Sequence, residues 1–172
     1  MRWMRVLTAI AAMALATALV ACGDSGPTAE EKREAAERKE RALEKKEEER
    51  VLAEAAKCEG QLGPFLESLE ELEARLEVGL NYDEYFDEIG TVQVAYNRIP
   101  INQLSEKCLT KVGLPSEEAF NAYREAAVIW EECFEDLSCE TSSVDPKIQQ
   151  EWASAGRSAT RARQGLVAMR SV

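Results

Sequence analysis

The four cysteines in the body of the chain are the residues best suited to covalent chemistry. Cys133 and Cys139 flank a predicted turn, and the other two are Cys58 and Cys108. Four cysteines allow three disulfide pairings, and an even number is typical of exported proteins. We favour a Cys133–Cys139 clip across the turn, which leaves Cys58–Cys108 as the second bridge. A redox or zinc site is disfavoured because the chain has no Cys-x-x-Cys pair and no histidine.

Two acidic clusters are the other polar groupings that chemistry could use. The first comprises Asp83, Glu84, Asp87 and Glu88, and the second comprises Glu131, Glu132, Glu135, Asp136 and Glu140. Carboxylates can bind Ca²⁺ or, in pairs, hydrolyse glycosidic bonds. Neither cluster has the spacing of a calcium-binding loop, and a di-iron bundle would need histidine. We interpret both as solvated helix faces, with weak cation binding as the alternative, and predict no metal, no cofactor and no catalytic residue.

The overall charge excludes several classes of function. The chain has 172 residues, 32 of them acidic and 21 basic, and a formal net charge of −11. An acidic chain is a poor nucleic-acid binder, because phosphates are bound by Lys and Arg. Without histidine the chain cannot build a Ser-His-Asp triad, a Cys-His pair or an imidazole general base. We therefore expect one small domain with appendages that is not an enzyme and binds no nucleic acid.

Aromatic residues at helical spacing offer a candidate ligand pocket. Tyr123, Trp130 and Trp152 lie on the apolar stripes of two predicted helices, and the first stripe continues through Phe134 and Leu137. Such residues more often form a core than a ligand site, and we interpret them first as core. In the alternative, Tyr123, Trp130 and Trp152 line a small-ligand pocket, with hydroxyl and indole N–H groups directing the ligand.

Apolar residues spaced by three and four predict that these side chains are carried by helices. No segment alternates with the period of two that is typical of strands. The predicted fold class is all-α: a bundle of about four main helices with two disulfides, preceded by a long charged helix. The bundle helices are predicted over 64–80, 81–99, 116–137 and 145–169, with a short helix through Leu104 and Cys108.

Proline, serine and glycine positions set the expected helix boundaries. We expect Pro64 at the first position of a helix, Ser116 as the cap of the next long one, and Asp145-Pro146 at the start of the last. Gly90 interrupts a helical pattern, which predicts a close helix crossing at that point.

Residues 29–57 are predicted to form a charged helical stalk. They contain neither Pro nor Gly, and Thr28 is placed to cap the helix. Glu and Lys or Arg recur three or four residues apart, which supports a solvated helix of about 40 Å. The apolar spacing of Ala36 and Leu43 stops at Arg50, so a lone helix is favoured over a dimeric coiled coil or packing on the bundle.

The N-terminal segment carries the features of an export signal. Arg2 and Arg5 precede the uncharged run 6–21, which is too short to span a membrane comfortably. The run ends in Leu19-Val20-Ala21-Cys22, and here the segment resembles a bacterial lipoprotein signal peptide with its lipobox.

That resemblance implies both processing and location. Residues 1–21 would be removed as the signal peptide, and Cys22 would be acylated and held in the lipid bilayer. The chain would then be exported and lipid-anchored to the outer face of the cell membrane, with 22–28 as the lipidated cysteine and a flexible tether. The alternative is an ordinary secretory signal, with Cys22 incidental.

The predicted folded part, residues 58–172, is similar to small helical lipoproteins with disulfides in high-GC Gram-positive bacteria. The similarity rests on an Ala/Arg/Glu-rich composition and on the Trp130-x-x-Cys133…Cys139…Trp152 spacing. It implies no particular function for this chain.

The distribution of charge guides the functional expectation. Residues 51–151 hold 22 acids and seven bases, whereas 152–172 hold four arginines and no acid. We expect a membrane-anchored surface lipoprotein that acts as a non-enzymatic interaction or structural module and favours a basic protein partner. The alternative is a small-ligand-binding lipoprotein with an aromatic-lined pocket between helices. An envelope hydrolase ranks last, because no nucleophile and base can be paired.

Overall fold

A computed structural model describes residues 26–171, and this part of the chain is all-α, as predicted. Its helices are α1 (Ala29–Val78), α2 (Tyr82–Asn97), α3 (Glu106–Cys108), α4 (Leu114–Glu135) and α5 (Thr141–Met169). A 3₁₀ turn at Ile101–Gln103 precedes α3, and a π-helical segment at Leu109–Gly113 joins α3 to α4. The predicted signal peptide and Cys22 lie outside the described residues. Among the helices described, none has the length and apolar character needed to cross a bilayer.

The described part of the chain divides into two compact units, with the boundary between Glu40 and Arg41. In the first unit, the described residues begin with a capping box, in which the Thr28 hydroxyl accepts the Glu31 N–H and the Glu31 carboxylate accepts the Thr28 N–H. Residues 29–40 are helical and exposed, and Arg38 pairs with Glu34 at 2.8 Å. The predicted cap at Thr28 is therefore confirmed.

The prediction that a helix begins at Pro64 is wrong. α1 runs without a break to Val78, with Pro64 in its interior. An interior proline removes one backbone hydrogen bond and costs about 3 kcal/mol. The helix continues because Cys58, Leu62, Phe65 and Leu66 follow one another at helical spacing on both sides of Pro64 and are all buried.

The boundaries predicted around Ser116 are also wrong. A continuous helical run extends from Glu106 to Glu135, and neither Gly113 nor Pro115 interrupts it. Pro115 is the second residue of α4, directly after the π-helical segment, and the run continues past it without the hydrogen bond that its nitrogen cannot donate. Ser116 is buried inside this run, and its hydroxyl donates to the Val112 carbonyl at 2.7 Å instead of capping a helix.

The last helix begins four residues earlier than Asp145. α5 starts at Thr141 and contains Pro146 in its second turn. Val144 packs against the core in this added turn, so that extending the helix buries an apolar side chain. The Cys133–Cys139 bridge holds the residues just before it.

The close helix crossing lies at Gly165, not at the predicted Gly90. A Cβ on Gly90 would meet no atom within 4 Å, whereas a Cβ on Gly165 would lie 1.9 Å from the Lys111 carbonyl oxygen. α5 therefore crosses the π-helical segment with backbone against backbone. Only glycine allows that approach.

Two hydrophobic clusters form the core of the second unit. The larger one joins α1, α2, α4 and α5 around Phe65, Tyr85, Phe120 and Tyr123. The smaller one surrounds the bridge between Cys58 and Cys108. Both predicted disulfides are present, Cys58–Cys108 with Cα atoms 5.7 Å apart and Cys133–Cys139 with Cα atoms 5.3 Å apart.

Candidate functional site

The three residues of the predicted pocket come together around a fourth, Tyr85. The Tyr85 hydroxyl donates to the Tyr123 carbonyl at 2.7 Å and accepts the Trp152 indole N–H at 2.9 Å. Ring centroids lie 5.9 Å apart for Tyr85 and Trp130 and 6.1 Å apart for Trp130 and Trp152. These contacts match the interpretation of the aromatic residues as core.

The chemistry of this aromatic cluster is that of a buried polar network. Burial raises the pKa of Tyr85 and Tyr123 well above the ordinary tyrosine value. Both phenols are therefore neutral, and the Tyr85 hydroxyl uses its donor and one acceptor site within the protein. Trp152 also borders an open depression beside Glu73 and Arg157. The ligand pocket among Tyr123, Trp130 and Trp152 stays a prediction.

The first acidic cluster is partly used by the fold. Glu84 completes a capping box with Asn81 at the start of α2, and Glu88 forms an ion pair with Arg75 of α1. Asp83 and Asp87 are exposed. No group of three metal-binding side chains occurs between residues 26 and 171.

The second acidic cluster surrounds exposed apolar side chains. Phe134 and Leu137, predicted as core, are 53% and 104% exposed. α4 ends at Glu135, so Leu137 falls beyond the helix and leaves the stripe that the sequence suggested. The Phe134 ring packs against Tyr82 of α2, with centroids 4.7 Å apart, and about half of the side chain stays exposed to solvent.

Three carboxylates lie near enough to Tyr82 of this aromatic pair to act on its hydroxyl. The pKa of Tyr82 is raised, first by burial and then by the negative charges of Glu131, Asp83 and Glu135. We call the six residues together the acidic aromatic surface. Its members are Tyr82, Asp83, Glu131, Phe134, Glu135 and Leu137. Sequence reasoning found its acids and its rings separately but did not place them together.

A short turn fixes the edge of the acidic aromatic surface. The Asp136 carboxylate accepts the Ser138 N–H at 2.9 Å and the Ser138 hydroxyl at 2.7 Å, and these bonds lower the pKa of Asp136. The Cys139 N–H donates to the Asp136 carbonyl at 2.8 Å, next to the disulfide with Cys133. The turn is therefore closed by hydrogen bonds and by a covalent bond.

Most arginines of the C-terminal segment form ion pairs with acidic residues elsewhere in the second unit. Arg161 pairs with Glu118 at 2.6 Å, and Arg163 pairs with Glu70 at 3.2 Å. Arg170 pairs with Glu59 of α1. These pairs neutralise acids of α1 and of the first half of α4, and leave the second half of α4 acidic.

Comparison with known proteins assigns neither a family nor a function to this chain. No family model, no curated protein and no solved structure matches the chain.

Proposed function

We propose that the chain is a membrane-anchored surface lipoprotein whose helical domain is a non-enzymatic interaction module for a basic protein partner. The observation that carries the proposal is the acidic aromatic surface, where the exposed Phe134 packs on Tyr82, the charges of Glu131 and Glu135 act on the Tyr82 hydroxyl, and Leu137 is exposed three residues after Phe134. Exposed apolar groups with a charged rim are typical of protein interaction sites.

The chemistry of this surface favours Lys or Arg side chains on the partner. A cation over an aromatic ring gains about 0.5–1 kcal/mol at an exposed site, and a guanidinium also pairs with carboxylates. The acids of the surface raise the rate of encounter with a positive partner and disfavour a negative one. The apolar groups of Phe134 and Leu137 would bury against an apolar residue next to the partner's basic one.

The test uses two synthetic peptides with the same aromatic residues, one carrying arginines and the other glutamates. The chain is expected to bind the arginine peptide, with an affinity that falls as NaCl rises from low to high concentration. Calorimetry should show at least about a tenfold loss for the double variant Phe134→Ala/Leu137→Ala.

The matched control is Val167→Ala, which removes an apolar side chain that is 63% exposed on α5. It should leave peptide binding unchanged. Equal binding of both peptides, or an equal effect of the two sets of substitutions, would contradict the proposed surface.

We place the anchor at Cys22, on the strength of the Leu19-Val20-Ala21-Cys22 motif. Two acyl chains on this residue would give stable membrane attachment, whereas one would not. In cells fed labelled palmitate, the wild-type chain should take up label and sediment with membranes, and Cys22→Ser should do neither. A membrane-bound, unlabelled chain would argue against lipidation, and release of wild type into the medium would indicate an ordinary secretory signal.

A further inference from the structure

An apolar cavity of about 340 Å³ lies beside the π-helical segment, far along α4 from the acidic aromatic surface. Its walls come from α1, the end of α2 and the turn before α3, and include Leu62, Phe65, Ile99 and Leu104. Two further lining residues, Ile101 and Leu114, are 56% and 53% exposed, so the cavity opens to solvent. Its volume is near the lower end of the range for small-molecule sites, about 300–1,000 Å³.

The charged groups of this cavity are of one sign. Glu106 and Glu117 both line it, and the Tyr96 hydroxyl donates to Glu117 Oε1 at 2.9 Å. This hydrogen bond, with burial, raises the pKa of Tyr96. Glu117 is half-buried and forms no ion pair with any Lys or Arg between residues 26 and 171.

A nearby arginine does not neutralise this carboxylate. Arg124 lies on α4, seven residues after Glu117, and its guanidinium is 5.8 Å from the centroid of the Phe120 ring. It is near enough to oppose the rise in the pKa of Tyr96, and it is not among the residues that line the cavity. Inside the cavity, the Glu117 carboxylate is therefore a hydrogen-bond acceptor with no basic partner among residues 26–171.

The backbone around the cavity is fixed in an uncommon form. Leu109 and Gly113, the two ends of the π-helical segment, line the cavity, and the Cys58–Cys108 bridge ties the preceding residue to α1. Single π-helical turns inside longer helices occur frequently at functional sites. The wall is therefore held in place before any ligand binds.

We infer that this cavity binds a small amphipathic amine, with its apolar body between Leu62, Phe65 and Leu104 and its ammonium group on Glu117. A charge-assisted hydrogen bond to a carboxylate in an apolar surround is stronger than one in water. An anion is repelled by Glu106 and Glu117, and a neutral ligand can donate a hydrogen bond to Glu117 but brings no positive charge to it. The inference is independent of the acidic aromatic surface and of its partner.

The experiment compares n-hexylammonium with 1-hexanol, which has the same apolar body and no charge. Both are titrated into the full chain in a non-ionic detergent and followed by calorimetry, with transferred NMR signals locating the ligand. Hexylammonium is expected to bind at least about tenfold more tightly than hexanol, and to show contacts with Leu104 and Ile99 methyl groups.

Three variants decide the inference. Glu117→Gln should reduce hexylammonium affinity to that of hexanol, and Glu125→Gln, an exposed carboxylate on the same helix, should change nothing. Leu104→Trp, which fills the cavity and keeps Glu117, should weaken both ligands at least about tenfold. Circular dichroism confirms that each variant is folded. Equal affinities of wild type for the two ligands, unchanged amine binding in Glu117→Gln, or contacts outside the cavity would overturn the inference.

Discussion

At Gly165 the backbone of α5 touches the backbone of the π-helical segment. We expect Gly165→Ala to lower the free energy of unfolding by about 1–3 kcal/mol or more, because the new methyl group would lie 1.9 Å from the Lys111 carbonyl oxygen. That oxygen belongs to the main chain and cannot move aside without a shift of the helix. Urea denaturation followed by circular dichroism measures the change.

Gly90→Ala is the matched control. Its methyl group meets no atom within 4 Å, and alanine is a better helix former than glycine. This variant should gain about 0.5–1 kcal/mol. If the two glycines respond alike, the close crossing at Gly165 is not present in solution.

The buried hydroxyls of Tyr85 and Tyr123 lead us to predict a loss of stability at alkaline pH. Burial raises the pKa of Tyr85 and Tyr123 in the folded state, so the neutral phenols stabilise the fold fully below the ordinary tyrosine pKa of about 10. This contribution is lost as the pH rises above about 10 toward the raised folded-state value. The free energy of unfolding should fall there by up to about 1.4 kcal/mol per pH unit for each phenol.

Tyr85→Phe separates this effect from general alkaline denaturation. At neutral pH the variant should be less stable by about 1–2 kcal/mol, because the Trp152 indole N–H loses its acceptor. Above pH 10 its stability should fall less steeply than that of wild type. Absorbance at the tyrosinate band gives an independent readout, and early ionisation of both phenols in folded protein would refute the prediction.

Among the elements, the two disulfides differ in how much chain each one encloses. Cys58 and Cys108 are 50 residues apart, and Cys133 and Cys139 are six apart. By loop-closure entropy, the first bridge stabilises the fold by about 4 kcal/mol and the second by about 2 kcal/mol. Replacing each pair by alanines and measuring denaturation should reproduce this order, and equal losses would contradict it.

Apolar spacing was enough to predict that the chain is helical, and the cysteine positions were enough to predict both disulfides, but neither showed where the helices end. Pro64, Pro115 and Pro146 are strong local signals for a boundary, and each lies inside a helical run. The buried side chains on either side outweigh the local cost of proline, and that balance depends on which neighbours are packed nearby. Gly90 and Gly165 also look alike in sequence. They differ in whether the backbone of another segment packs against them, which only the tertiary structure shows.

The candidate sites were less accessible to prediction than the fold. Periodicity placed Phe134 in the core because it extends the stripe of Tyr123 and Trp130, yet its side chain is 53% exposed. Glu117 and Tyr96 carry no motif, and their pairing depends on how α2 meets α4. Both sites are formed by contacts between helices that are distant in sequence, and the spacing of residues along one helix does not reveal such contacts.

For the molecule as a whole, charge should limit stability at low salt. Residues 51–151 hold 22 acids and seven bases, so repulsion between carboxylates opposes folding, and salt screens that repulsion. We expect Tm to rise by a few degrees, about 2–4 °C, between 20 and 300 mM NaCl. Scanning calorimetry makes the measurement.

A charge-neutral variant tests the cause of this salt response. Glu131→Gln/Glu135→Gln removes two charges of the acidic aromatic surface and should both raise Tm at low salt and reduce its increase with salt. A fall of Tm with salt in wild type would show instead that the ion pairs of Arg161, Arg163 and Arg170 dominate.

The Cys58–Cys108 bridge also governs how the protein responds to tension. If the two ends of the chain are pulled apart, the loop of 50 residues between the bridged cysteines cannot extend, because the covalent bond bypasses it. About 170 Å of contour length is withheld in this way. A reducing agent would release that length as one additional step in a single-molecule extension trace. The bridge therefore acts as a redox-controlled limit on how far the chain can be stretched.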